Sequence, residues 1–488
     1  MKTLMPLTDQ SQCRYQPRKA EVSIRRCVGR PARVLHAGYL IAFLMLVFGE
    51  SLGLGDSVEI VGIETALAVA VFVVVLAVIA AELVNRTVAA LLGAAVVVSF
   101  GVVEQHEAAT EFVDWNTIGL LAGMMVIVAI LEKTGVFEYL AIKSAQWGKA
   151  RPGRIMVVLS VVTAALSAFL DNVTTVILMV PVTFMIAEAL DSNPMPFLLA
   201  QVMASNVGGA ATLIGDPPNI LIGSAADLSF ADFVVNLAPV VLLALPVVLA
   251  YLYLAFRRDL RYNKGAEEHV RMLDAEGAIR DKILLRKSLT VLGAVIIAFF
   301  LHGILHLEVA TIALFGAATL MLYARSDVHE VLRGVEWPTL LFFVGLFVLV
   351  GGLEATGVVG KIAELLAGVG EATSATTAVV IIWGSAVASG IVDNIPFTAT
   401  MIPVIRELTQ AQGLSETEAR PLWWALALGA DFGGNATLIG ASANVVVAGM
   451  SERAGQKISF LRFMAYGVPV TVLSLMVATL YMLLRYYS

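Results

Sequence analysis

The sequence predicts an all-α polytopic membrane protein of about 11 transmembrane helices in two inverted-topology repeats, each with a re-entrant hairpin and a broken helix. Three observations lead there. The 488-residue chain is 59% hydrophobic and only 14% charged, whereas globular domains carry about 25% charged residues. Apolar runs of roughly 20 residues recur along it, long enough to cross a hydrocarbon core. A set of polar motifs also occurs twice, 222 to 225 residues apart. The ten-residue alternation of a membrane barrel is absent, so helices are the spanning element.

In chain order, a basic cytoplasmic tail (1–33) carries eight Lys/Arg and no apolar signal-peptide core. It also holds both cysteines, Cys13 and Cys27, which imply neither a disulfide framework nor a thiolate metal site. An extra N-terminal transmembrane helix follows (34–56). Repeat 1 (57–256) contains spans near 61–82, 87–103 and 116–132, a long apolar block at 155–190, a glycine-broken block at 196–225 and a span near 234–256. A charged cytoplasmic linker, 257–287, separates it from repeat 2 (288–488). There the pattern returns near 288–306, 308–324, 338–353, 377–405, 421–450 and 466–485.

Topology is read from the positive residues. If the blocks 155–190 and 377–405 each enter and leave on one side, 28 of the 32 Lys/Arg fall inside. If each crosses once, the division is 18 to 14. The first arrangement is favoured, with the N-terminus cytoplasmic and the C-terminus outside. Parity does not distinguish a re-entrant hairpin from two full crossings.

The repeated motifs are polar. Asp114-Trp115 matches Glu336-Trp337, and Leu131-Glu-Lys-Thr-Gly-Val136 matches Leu353-Glu-Ala-Thr-Gly-Val358. Ala168-Phe-Leu-Asp-Asn-Val-Thr-Thr175 matches Gly390-Ile-Val-Asp-Asn-Ile-Pro-Phe397, which places Asp171-Asn172 opposite Asp393-Asn394. Gly208-Gly-Ala-Ala-Thr-Leu-Ile-Gly215 matches Gly433-Gly-Asn-Ala-Thr-Leu-Ile-Gly440, and Asn219 matches Asn444. The first repeat starts outside and the second inside, the architecture of secondary transporters that alternate access around a midplane site.

Charged side chains at membrane depth are costly, so they mark candidate sites. The candidate substrate- or ion-binding set is Asp171, Asn172 and Thr174 at one tip, with Asn206, Gly208, Gly209, Thr212, Asp216 and Asn219 at one helix break. Asp393 and Asn394 form the other tip, and Asp431, Gly433, Gly434, Asn435, Thr437, Ser442 and Asn444 the other break. Gly pairs and Pro217-Pro218 interrupt a helix, and unwound backbone in lipid is tolerated only inside protein or along a cavity. Two plainer readings compete: Gly-Gly as a device for close helix packing, and Asp-Asn as a water-exposed turn between two complete spans. The carboxylates are not symmetric. Asn206 is replaced by Asp431, and Asp216 by Ala441.

The Asp-Asn tips and the Gly-Gly-x-x-Thr-Leu-Ile-Gly-x-x-x-Asn breaks make residues 57–488 resemble the ion transporter superfamily, most closely its ArsB/NhaD group of arsenite permeases, sodium–proton antiporters and the melanosomal P protein. That resemblance implies that the four elements meet at one transport site, and suggests a dimer. The dicarboxylate–sodium members are typified by Ser-Asn-Thr tips, where this chain has Asp in the Ser place and Val173 or Ile395 in the Thr place.

The expected function is a secondary active transporter of the cell inner membrane, working by proton-coupled efflux of arsenite or antimonite. Sodium–proton antiport and sodium-coupled organic anion transport are the alternatives. Neutral As(OH)3 needs hydrogen-bonding oxygens and amides, which the Asp-Asn pairs, Asn435, Thr437 and Ser442 offer, and no Arg or Lys lies in the predicted core, which argues against a bare multivalent anion as cargo. An enzyme is not expected, since the Gly-x-Gly-Asp and Tyr-Asp pair of intramembrane aspartyl proteases is missing. No cofactor beyond H⁺ or Na⁺ as coupling ion is implied, and no Walker motif or metal-ligand spacing occurs. The expected partners are a small inorganic solute or ion and the lipid bilayer, with a separate ATPase subunit if ATP is used for arsenite. No nucleic acid is expected.

Overall fold

The computed structural model describes residues 62–488 apart from 82, 262–264 and 369. The tail (1–33) and the extra helix (34–56) lie outside the described residues. Every regular element among those described is helical. The first half runs α1 (Ile63–Ala80), α2 (Arg86–Ser99), α3 (Trp115–Glu132), α4 (Val136–Trp147), α5 (Pro152–Ser167), α6 (Asn172–Ala189), α7 (Met195–Gly209), α8 (Pro217–Ala225), α9 (Phe230–Asn236) and α10 (Ala238–Phe256). The second half runs α11 (Lys282–Leu305), α12 (Val309–Ala324), α13 (Trp337–Ala355), α14 (Val358–Ala367), α15 (Ala375–Val392), α16 (Asn394–Ala411), α17 (Glu416–Gly433), α18 (Ser442–Arg453) and α19 (Phe460–Tyr486).

Eight of these are long and apolar enough to cross a membrane, or nine if the bent pair α8–α9 (117°) counts as one span. About eleven were expected. The difference has a local cause. The expected helix at 34–56 is outside the described residues, and α2, α5 and α12 are apolar but have only 14, 16 and 16 residues. At 1.5 Å per residue they reach about 21 to 24 Å. The blocks 196–225 and 421–450 are each split into two helices.

The packing is reciprocal between the halves. α3 lies against α12 and α13 against α2, while α5 packs on α7 and α15 on α17. α6 packs against α18 of the other half, and α16 against α8. The linker is more than a solvated connector. Its Arg280 pairs with Glu138 at 2.5 Å, Lys143 with Glu276 at 3.2 Å, and Gln146 donates to the Leu273 carbonyl.

Tight backbone approach sets the depth of the broken elements. A Cβ at Gly208 would stand 2.3 Å from the Ala164 carbonyl oxygen, and one at Gly433 would stand 2.5 Å from the Ala386 backbone. These glycines therefore serve the close packing of α7 on α5 and α17 on α15.

Candidate functional site

Each tip is built by an aspartate that caps the helix after it. Asp171 accepts from the backbone N–H groups of Val173 (3.2 Å) and Thr174 (2.8 Å), and from the Thr174 hydroxyl (2.7 Å). Asp393 accepts from Ile395 N–H and from the Ser442 hydroxyl, both at 3.1 Å. Side-chain capping satisfies helix-start donors that would otherwise be orphaned. The two turns differ in length. Residues 168–171 separate α5 from α6, but Asp393 alone separates α15 from α16. This single-residue reversal puts Asp393 at φ 110° and ψ 137°, where L-residues are strained, while Asp171 is relaxed at φ −55°.

The asparagines after the caps converge on one buried acid. Asn172 Nδ2 donates to Asp216 Oδ2 at 2.7 Å, and Asn394 Nδ2 donates to Asp216 Oδ1 at 3.2 Å. Asn172 also reaches Asn206 Oδ1 at 3.2 Å. Asn206 in turn donates to Asn435 Oδ1 (2.9 Å) and Asn444 Oδ1 (3.0 Å), and Asn435 donates to the Met203 carbonyl. One connected network thus joins both tips and both breaks. Asn172, Asn206, Asp216, Asn394, Asp431, Asn435 and Asn444 are all buried.

The breaks are held by matching side chains. Residues 210–216 and 434–441 leave the helical path, freeing carbonyls that need donors. Asn219 Nδ2 donates to the carbonyls of Thr212 (3.0 Å) and Gly209 (3.4 Å). Asn444 Nδ2 donates to those of Thr437 (2.9 Å) and Gly434 (2.8 Å). The Thr212 hydroxyl bonds to the Ala168 carbonyl, and the Thr437 hydroxyl to Gly390 at 2.6 Å, tying each break to its own tip. Thr212, Asn219, Thr437 and Asn444 thus shape the site from behind.

Sequence reasoning missed the cation. Arg86, at the first position of α2, lies beside the tips: its guanidinium hydrogen-bonds Ser442, reaches Thr339 at 3.3 Å, and stands 3.9 Å from Asp393. It also stacks over the Phe342 ring at 5.2 Å. The expectation that no Arg or Lys lies in the core is therefore corrected. A long side chain at a helix start can carry its charge well inside, and counting it among loop charges hid that reach. Glu336 and Thr339 at the start of α13 were missed as well, since in the sequence Glu336 stands out only as the repeat mate of Asp114.

Arg86, Glu336, Thr339, Ser442, Pro217, Asp216 and both tips line a cavity of about 10 Å³, room for one water. A second cavity of about 220 Å³ lies between α3, α8, α11 and α12, lined by Asn116, Thr117, Leu213, Ser224, Asp227, His302 and Glu308 among others. Small-molecule sites typically occupy about 300–1,000 Å³, so at the tips the structure is closed. Among the described residues no group of three or more His, Cys, Asp or Glu side chains is arranged to hold a metal ion.

Residues 74–429 match the family described as CitMHS, citrate transporter. The chain belongs to this family. Its relatives include an uncharacterized transporter of Mycobacterium tuberculosis (strain ATCC 25618 / H37Rv), 46% identical over 86% of this chain and 98% of its own length. The 46 kDa membrane protein of Mycobacterium leprae (strain TN) is 44% identical over 86% and 98%. The P protein of Homo sapiens is 37% identical over 87% of this chain but only 60% of its own length. Among solved structures, the YdaH transporter of Alcanivorax borkumensis aligns with a TM-score of 0.46 and 15% identity, covering 86% of this chain and 97% of that one.

These matches correct the resemblance to the ArsB/NhaD group of arsenite permeases and antiporters. The motifs that carried it cap helices and hold breaks open, and scaffold geometry of that kind does not encode the cargo. The citrate-transporter family member is a transport protein, not an enzyme: a multi-pass membrane protein that moves a small solute across the bilayer as a secondary transporter.

Proposed function

We propose that the chain is a cation-coupled carrier of a small organic anion bearing carboxylates, which takes its cargo at the meeting point of the two tips and two breaks. One observation carries this reading: the Arg86 guanidinium stands at the tips, flanked by the hydroxyls of Thr339 and Ser442. Arginine is the side chain best matched to a carboxylate, which it can bind in bidentate fashion. In the closed site Asp393 occupies that position, and a cargo carboxylate displaces it. At an effective dielectric of about 20 the Arg86–Asp393 attraction is worth about 4 kcal/mol, which a bound anion replaces. The family description supports citrate as the first probe, and arsenite efflux is not the reading the family match favours.

The architecture in this proposal is two inverted repeats, 57–256 and 288–488, joined by the linker 257–287. α5–α6 and α15–α16 are re-entrant hairpins, and α7–α8 and α17–α18 are broken helices. Its support is that hairpins from opposite sides both donate to Asp216, which requires their tips to share one depth. With the N-terminus inside and the C-terminus outside, Arg86 closes the inner face and the 220 Å³ cavity is an outer vestibule. The candidate set divides into Asn172, Asn394 and Ser442 as cargo contacts, and Asp216 and Asn206 as the residues that position them.

Sodium–proton antiport is the second reading, favoured by the acids Asp171, Asp216, Asp393, Asp431 and Glu336 around a single Arg. Purified protein in liposomes separates the two. Labelled citrate should exchange across the membrane and accumulate under an imposed cation gradient, and Arg86→Gln should abolish both while the variant stays folded with a lowered thermal midpoint. Normal citrate transport by that variant defeats the reading. So does the absence of citrate transport by the parent chain alongside Na⁺-driven collapse of a pH gradient.

A further inference from the structure

The two breaks differ at one pair of side chains. In one, Asn206 Nδ2 donates to Asn444 Oδ1 at 3.0 Å. A shift of 225 residues maps Asn206 onto Asp431 and Asn444 onto Asn219. The same symmetry sets Asp431 on α17 and Asn219 on α8, two helices that pack together, and both side chains are fully buried. Yet Asp431 Oδ1, Asp431 Oδ2 and Asn219 Oδ1 have no hydrogen-bond partner among the described residues. The reason is chemical. Asn219 spends its NH₂ on the Thr212 and Gly209 carbonyls and offers only an acceptor. A carboxylate is acceptor-only too, so the two repel unless a proton lies between them.

We propose that Asp431 and Asn219 form the binding site of the coupling proton, with the proton carried on Asp431 and donated to Asn219 Oδ1. A carboxylic acid has the shape of a carboxamide, so O–H replaces the N–H of Asn206 and the repeat geometry is restored. Leaving either group unpaired at full burial is unfavourable, and more so for a charge. The proton comes from water when the site opens to one face, and returns to water when it opens to the other.

The tip acids do not compete for this role. Asp171 and Asp393 have their oxygens taken by donors and act as acceptors. Among the elements packed on α17, the helices α7, α8 and α15 bear no titratable side chain. The cap of α8 brings Asp216, which interacts with Asp431 and also with Asp171 and Asp393. α16 brings Arg406 and Glu407, with Arg406 bonded to the Ala225 carbonyl. α19 brings Arg462, Tyr466, Tyr481, Arg485 and Tyr486. Loss of Asp431's proton therefore adds a negative charge beside Asp216, which discourages an empty, deprotonated site from persisting.

The transport role rests on the carrier reading above, but the protonated pair does not, so two measurements are needed. The first is infrared spectroscopy of the parent chain and Asp431→Asn at neutral pH, in H₂O and D₂O. A carboxylic-acid C=O band that shifts in D₂O and is missing in the variant is expected, whatever the cargo. Identical spectra in that region overturn the proposal. The second uses citrate in liposomes with a gradient of one pH unit, which supports about tenfold accumulation per coupled proton. For Asp431→Asn the accumulation ratio should fall to about one while citrate exchange continues at a measurable rate. Accumulation that survives in the variant, or that follows a Na⁺ gradient instead, overturns the coupling role. A parent chain that shows the band but moves no citrate fails the carrier reading alone.

Discussion

The two helix breaks carry the same frame and opposite chemistry. Both place a glycine pair against a neighbouring backbone, tie a threonine to the adjacent tip, and staple the loose carbonyls with an asparagine. The first break sets its acid after the turn, where Asp216 collects donors from both tips. The second sets its acid before the turn, where Asp431 faces only an acceptor. Symmetry thus fixes where the helices stop. The charges are placed off-symmetry. A carrier with identical halves would offer two equivalent acids and no distinct place for a proton and a cargo.

The same substitution at the two acids should give different results. Asp216→Asn turns one acceptor oxygen into a donor that faces a tip amide, and leaves one of Asn172 or Asn394 unsatisfied. We expect a loss of roughly 1–3 kcal/mol, visible as a lower thermal midpoint in detergent. Asp431→Asn repeats the side chain already present at position 206, so its midpoint should stay close to the parent's. Equal losses at the two positions would mean the acids are equivalent after all.

The tips offer a smaller contrast. Asp393 is strained and Asp171 is not. Glycine at 393 relieves about 1–3 kcal/mol of backbone strain that alanine retains, so Asp393→Gly should unfold at a higher temperature than Asp393→Ala. At 171 the order reverses, because glycine there only adds freedom to the unfolded chain. The same order at both positions would show that the shorter turn carries no strain.

The smallest effect concerns how the two broken helices begin. α17 starts with a capping box in which Ser415 accepts from Glu418 N–H, and the Glu418 carboxylate accepts from the Ser415 hydroxyl and backbone. α7 starts at Asn193-Pro194 without one. Those bonds hold the Glu418 carboxyl below its ordinary range. Its contribution is therefore present above the unfolded-state value and is lost as pH falls through the lowered folded value. A slight acid-side drop in thermal midpoint should disappear in Glu418→Gln. An unchanged pH profile in that variant would remove the box from the account.

Much of the scaffold was legible in the sequence. Polar repeats in an apolar chain located the tips and breaks within a residue or two, because glycine pairs, prolines and buried Asp-Asn leave few alternatives in a membrane helix. The count of spans was less legible. Helices of 14 and 16 residues look on paper like complete crossings once flanking apolar residues are added. Arg86 was not legible at all. Position along the chain says where a Cα lies, and an arginine's charge sits about six bonds away, so a residue counted at the membrane edge can serve the centre. The cargo was equally hidden, since capping and stapling residues look alike whatever the carrier moves.

The exchange of helices between halves has a consequence for how the protein is made. α6 rests on α18 and α16 on α8, so each tip is completed by the opposite half. During synthesis, the first tip emerges before its support exists, with Asp216 lacking Asn394. Assembly of the site is thus a late event, contingent on the last third of the chain. A half produced alone would present buried polar groups to lipid, and quality control would have a chemical mark by which to recognise it.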